Sequence, residues 1–174
     1  MKVSTRLGIA AVMVVTVALP SSLSAHEADL IKAGRKAGPI RLQRTTLSQA
    51  RDWFGEPLRR RNFQYQCIQA IRVTWPEPQI IFTRDEERRA VTAKIRDRTV
   101  SSNEHGTLRI HTKKGLRVGD SERRLRELYP NKEGETHRGH THYILVSGPN
   151  DGRLLARVER DEVVELETGP YEAC

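Results

Sequence analysis

The sequence predicts an α+β fold of two tandem units, each a short helical segment packed on an antiparallel sheet, behind a cleaved signal peptide. Three observations predict it. A helical stretch followed by strands occurs twice along the chain. The two helix starts also align: Ile40-Arg41-Leu42 matches Leu116-Arg117-Val118, and with one residue deleted Thr46, Ala50, Trp53 and Phe54 match Ser121, Leu125, Leu128 and Tyr129. Such self-similarity is the mark of a repeated unit. After each helix the apolar period changes from the helical one to two, the period of a half-buried strand. The predicted division is residues 1–25 as signal peptide, 26–37 as a flexible N-terminus, 38–112 as the first repeat and 113–174 as the second.

The signal reading rests on Lys2 and Arg6, an uncharged apolar run from Leu7 to Leu19, Pro20, and the small residues Ser21 to Ala25. These are the three parts of a secretory signal, with cleavage expected after Ala25. The alternative is a retained membrane anchor, but the run is short of the roughly 20 apolar residues a span needs. A lipoprotein would carry a cysteine at the cleavage site, and the two cysteines are Cys67 and Cys174. The expected location is therefore secreted or extracytoplasmic, with no lipid anchor.

In the first repeat Thr46 reads as an N-cap, with Leu47, Ala50, Trp53 and Phe54 at helical spacing and Gly55 and Pro57 as stop signals. From Phe63 to Trp75 apolar residues alternate with polar ones, which predicts one long strand. Ile80–Phe82, Val91–Ile95 and the Leu108–Ile110 stretch predict three more, with Thr99 to Gly106 as a polar loop. In the second repeat Ser121 caps a helix carrying Leu125, Leu128 and Tyr129, ended by Pro130. Asn131 to Arg138 reads as loop. Strands follow at Tyr143–Ser147, Leu154–Val158 and Val163–Leu166, and Asn150-Asp151-Gly152 signals a hairpin between the first two.

Cleavage after residue 25 leaves 149 of the 174 residues, enough for one core or two small layers sharing one. Losing Lys2 and Arg6 takes the formal charge from +8 to +6. A basic exported protein tends to meet anionic surfaces, whether acidic proteins, wall polymers or headgroups. Arg59-Arg60-Arg61 is the one pure basic run, and elsewhere bases and acids interleave. Few aromatics and no known motif leave nucleic acid out of the expected partners. In an oxidising compartment Cys67 and Cys174 are expected to form a disulfide tying the C-terminus to the first half. A loop that long is worth about 4–5 kcal/mol in the chain-entropy view.

Two constellations invite chemistry. Gly119-Asp120-Ser121 resembles an esterase nucleophile triplet, but no histidine follows Gly148 to complete a triad, and helix capping accounts for the residues. His137, His140 and His142 are the best-spaced metal candidates; exposed histidines ahead of a strand are more often simply solvated, and no metal or cofactor is expected. No G-x-S-x-G, H-E-x-x-H, P-loop or G-x-G-x-x-G occurs. Catalytic residues are expected to be none.

Thr45 to Pro57 carries a pattern of a Ser or Thr cap, a small residue four on, a bulky residue four further, then Gly-x-Pro, and Gly115 to Ser121 is similar to a second such helix entry. In this the chain resembles two groups of small exported bacterial modules, the β-lactamase inhibitor proteins, with two tandem α+β repeats, and the outer-membrane assembly lipoproteins, with one. The tandem arrangement looks like the first. The chain departs from both, since the inhibitors hold a disulfide within each repeat and the lipoproteins a lipidated cysteine. The resemblance bears on fold; the periodicity of a rigid scaffold and the missing catalytic constellation lead to the expected function, a non-enzymatic exported interaction module whose sheet face and loops bind an extracellular or envelope protein, with an inhibitor as its sharpest form. The rival expectations are a small secreted hydrolase and an electrostatic binder of anionic wall polymer.

Overall fold

The computed structural model of the protein describes residues 29–148 and 152–170. The predicted signal peptide, Cys174 and most of the Asn150-Asp151-Gly152 turn lie outside them. The first half contains β1 (Leu30–Lys32), β2 (Lys36–Ala37), β3 (Ile40–Arg41), α1 (Leu47–Phe54), β4 (Arg59–Tyr65), β5 (Ile68–Thr74), β6 (Gln79–Thr83), β7 (Ala90–Ile95), β8 (Val100–Ser102), β9 (Gly106–Leu108) and β10 (His111–Thr112). The second contains α2 (Glu122–Leu128), β11 (Gly134–His137), β12 (His140–Gly148), β13 (Gly152–Glu159) and β14 (Glu162–Gly169).

The predicted fold class is corrected. Among the described residues the fold is mainly β, with 52% strand against 11% helix, and it is not an arrangement of two α+β units. One sheet of eight strands, ordered β11-β12-β13-β14-β7-β6-β5-β4, draws on both halves of the chain. The reason lies in lengths and edges. The helices have eight and seven residues, too few to make a layer of their own. β7 and β14 would each be an unpaired edge in a separate unit; they instead hydrogen-bond to each other, antiparallel, with Leu166 opposite Ile95 and Thr168 opposite Ala93.

Three further expectations change. The stretch from Phe63 to Trp75 is a hairpin rather than one strand. Gln66 turns the chain in the left-handed region at φ 52°, and the period of two continues through the turn, which hides it. The described part of the 26–37 segment, residues 29–37, is built into the fold, because Ile31 and Ala37 bury almost completely and β1 runs parallel to β10. The polar stretches 99–106 and 131–138 supply β8, part of β9 and β11, short strands that pair through backbone groups without an apolar stripe.

Both helices pack on one face of the large sheet. Leu47 and Ala50 of α1 and Leu125 of α2 join Val73, Ile80, Phe82, Ala93, Tyr143, Leu154 and Ala156 in a single core. Thr46 caps α1, its Oγ1 accepting from the Gln49 backbone N–H at 3.3 Å while the Gln49 side chain accepts from the Thr46 N–H at 3.0 Å. Trp75 is 1% exposed, and its indole N–H donates to the Gly55 carbonyl at 2.8 Å, tying the end of α1 to the sheet. On α2, Arg126 donates to Glu122 and to the Tyr143 hydroxyl, each at 2.7 Å, and Tyr143 donates to Glu122. Gly152, at φ 68°, stands where a Cβ would strike the Gly34 backbone, so the start of β13 closes against the N-terminal hairpin.

Candidate functional site

The helices and the small sheet of β1, β2, β3 and β10 pack on one face of the eight-stranded sheet; the other face carries the unusual chemistry. Strand alternation sends Val73, Ile80 and Leu154 to the core, and their neighbours to the outer face. Cross-strand register then builds rows. One reads Glu135, His142, Arg157, Glu165 across β11 to β14. The next reads Ile144, Leu155, Glu167, Lys94, Gln79, Thr74, Arg59 across β12 to β4. Beside them Arg61 sits opposite Arg72 on β4 and β5.

The β4 end of this face is apolar. Ala70, Ile81 and Val91 are buried beneath Phe63, Tyr65 and Ile68. The Arg72 guanidinium lies 4.6 Å above the Phe63 ring, and Thr92 donates to the Tyr65 hydroxyl at 3.1 Å. The β13–β14–β7 portion is charged. Lys94 Nζ lies 2.5 Å from Glu167 and 3.2 Å from Glu165; Arg96 Nε lies 2.6 Å from Glu165, and Arg153 lies 3.5 Å from Glu167. The Glu165 side chain is 6% exposed. Burial pushes its carboxyl up, but Lys94, Arg96 and Arg157 together more than reverse this and hold it below the usual carboxylate value. Burial, then His140 and Arg157, push His142 below the ordinary histidine value, so it is neutral at pH 7.

Three arginines have one donor unmet. The Nε of Arg72, of Arg153 and of Arg157 is buried without a hydrogen-bond partner. A buried charged donor without an acceptor is costly, so these atoms mark the face as unfinished.

The residues singled out from the sequence are dispersed. Arg59 and Arg61 join Arg72 on the outer face, whereas Arg60 points to the opposite side and lies 3.5 Å from Glu56. His137, His140 and His142 line up, with ring centroids 6.3 Å and then 4.8 Å apart, but among the described residues no group of three His, Cys, Asp or Glu is placed to hold a metal ion. Ser121 is the N-cap of α2, its Oγ accepting from the Arg124 N–H at 3.2 Å, and Asp120 accepts from the Arg117 N–H at 2.8 Å. Both polar groups of the esterase-like triplet are thus committed to the turn into α2. Cys67 is exposed in the β4–β5 turn, and no described cysteine is a free thiol. Sequence reasoning missed Lys94, Arg96, Arg157, Glu165 and Glu167. Their signal was present in Glu165-Leu166-Glu167 and Lys94-Ile95-Arg96, charges at every second position on strands otherwise apolar, which place those charges on one face.

A second polar pocket, of about 420 Å³, lies between the β5–β6 and β8–β9 turns, with Phe54, Glu77, Asp97, Ser101 and Thr107 in its wall. Burial pushes the Glu77 carboxyl up to about 7, although it accepts a hydrogen bond from the Arg96 N–H at 3.1 Å.

No protein-family model matches the chain, and comparison with curated proteins and with solved structures yields no significant match. The resemblance to the inhibitor and lipoprotein groups therefore stands on residues 45–57 and 115–121 alone. Among the described residues no helix is long and apolar enough to cross a membrane.

Proposed function

We propose that the protein is an exported, non-enzymatic binding module that takes an acidic surface of a partner protein onto the outer face of its large sheet. The observation that carries the reading is the set of arginines on that face, in which the buried Nε of Arg72, Arg153 and Arg157 has no acceptor. Two carboxylates, Glu165 and Glu167, are already matched by Lys94, Arg96 and Arg153. Arg59, Arg61 and Arg72 remain as surplus positive charge beside the apolar patch under Phe63 and Tyr65, while Arg157 lies 3.4 Å from Glu159. An apolar centre flanked by arginines is the composition of a protein interface, and complementary charge gives speed and specificity of encounter. An inhibitor-like role against an extracellular or envelope protein is the specific form of this proposal.

The test is differential capture. Wild type, Arg59→Glu/Arg61→Glu and a control, Arg123→Glu on α2, are each used as bait in the native extracytoplasmic fraction. The reading expects one acidic protein retained by wild type and by the control and lost by the double variant. A partner retained equally by all three overturns it. Capture of glycan polymer, released at high salt, would replace it with the wall-binding reading.

A second reading, a small hydrolase, is supported by Glu77. A carboxylic acid whose pKa is about 7, in a pocket of about 420 Å³ with Asp97 and the hydroxyl residues Thr99, Ser101, Ser102 and Thr107, has the protonation behaviour of a general acid. It expects a hydrolytic turnover that Glu77→Gln abolishes without lowering the melting temperature; turnover unchanged in that variant removes it.

A further inference from the structure

We infer that the pocket between β12, β13, β14 and β7 is the anchor point of the partner's acidic surface and receives one carboxylate side chain, gripped by Arg157. This rests on the binding reading above and names the group that the face selects.

The pocket has a volume of about 150 Å³. That is room for about five water-sized bodies at ~30 Å³ each. A carboxylate with one or two methylenes fits within that volume, and the charged lining disfavours an apolar ring. Leu155 supplies an apolar wall for the methylenes, and Arg157, His140 and His142 supply donors. The floor holds Glu165 and Glu167, each lying against two cations, so neither has an arginine or lysine to spare for a ligand nor leaves one of its own cations unmatched.

Arg157 is different. Its side chain is 28% exposed, and its Nε is buried without a hydrogen bond, 3.4 Å from a Glu159 oxygen that is not in bonding geometry. The planar guanidinium offers five N–H donors in a fork that matches a carboxylate through two parallel bonds. The Nε is closed to solvent, so a monoanion entering here meets the rest of the guanidinium, the part that carries the side chain's exposure. His142, held neutral by burial and by its cationic neighbours, donates an N–H without adding charge to the site. A dianion such as phosphate is disfavoured, because the two floor carboxylates repel its second charge.

The test follows the arginine Nε–Hε signals by nuclear magnetic resonance. The probes are N-acetyl-glutamate methylamide, whose one charge is the side-chain carboxylate, its neutral glutamine counterpart, and inorganic phosphate. The expected result is a saturable shift of the Arg157 signal with the glutamate compound, no shift with the glutamine compound, and weaker binding of phosphate. Arg157→Lys, which keeps the charge and loses the fork, is expected to weaken glutamate binding about tenfold, a loss of about 1.4 kcal/mol. His142→Gln, a second variant that leaves Arg157 in place, is expected to weaken it less. Equal shifts with glutamine, tighter binding of phosphate, or shifts spread over the exposed Arg59, Arg61 and Arg123 overturn the proposal. A negative titration with face-dependent capture intact removes this pocket alone; a positive titration with face-independent capture removes the binding reading instead.

Discussion

The Lys94 ammonium lies 2.5 Å from the Glu167 carboxylate, and the two residues stand directly opposite each other on β7 and β14. That pairing is the seam where strands of the first half meet strands of the second. The Lys94 side chain is 20% exposed and that of Glu167 11%, so solvent screens the pair little. Removing one partner of such a pair leaves a charge uncompensated. Lys94→Met strips one cation from both Glu165 and Glu167 and is expected to cost about 2–4 kcal/mol. Urea unfolding checks this, and Lys94→Met/Glu167→Gln is expected to recover part of the loss.

Glu77 gives the opposite sign. Its folded pKa of about 7 lies above the ordinary 4.5. Between those values the folded protein binds more protons than the unfolded chain, so stability falls as pH rises through the window. Glu77→Gln keeps an acceptor for the Arg96 N–H and removes the charge. At about 1.4 kcal/mol per pKa unit, reduced for partial exposure, it is expected to stabilise the protein by about 1–3 kcal/mol at pH 8. At pH 4 the gain is expected to vanish. Thermal unfolding at the two pH values separates the outcomes.

His142 titrates on the acid side. Its folded pKa lies below the ordinary 6.5, so the unfolded chain takes up the proton first as pH falls. Its contribution to stability is complete above 6.5 and declines below it. His142→Gln is expected to flatten the stability profile below pH 6.5 and leave it unchanged at pH 8, read by denaturant midpoints across the series.

The α1 cap is a local test. Thr46→Ala removes the acceptor for the Gln49 N–H and half of the reciprocal capping box. It is expected to cost about 1 kcal/mol. The loss should appear as a lower midpoint in urea with an unchanged slope.

Thr46 and Ser121 were legible in the sequence because capping is local: one side chain, one backbone N–H, three residues apart. The strands around Ile80, Val91, Leu154 and Val163 were legible because apolar alternation needs no knowledge of what lies opposite. The fold class was misjudged because the β7–β14 pairing is a backbone event between residues about 70 positions apart, and nothing in either strand names its neighbour. The hairpin at Gln66 was hidden because Phe63, Tyr65, Ile71 and Val73 keep one parity through the turn while serving opposite faces of the sheet. The candidate face was illegible for the same reason as the seam. Arg157, Glu165 and Arg96 become neighbours only once three strands have found their register.

The outer face as the place where a partner lands is tested most directly by site-specific photo-cross-linking. Ile144 lies on that face and is 49% exposed; Arg123, with a side chain 89% exposed, lies on α2 behind it. A photoreactive residue is placed at each position in turn and irradiated in the native extracytoplasmic fraction. Docking on the outer face predicts a cross-link to one acidic protein from position 144, suppressed by Arg157→Lys, and none from position 123. Cross-linking of the same protein with equal yield from position 123 would contradict it.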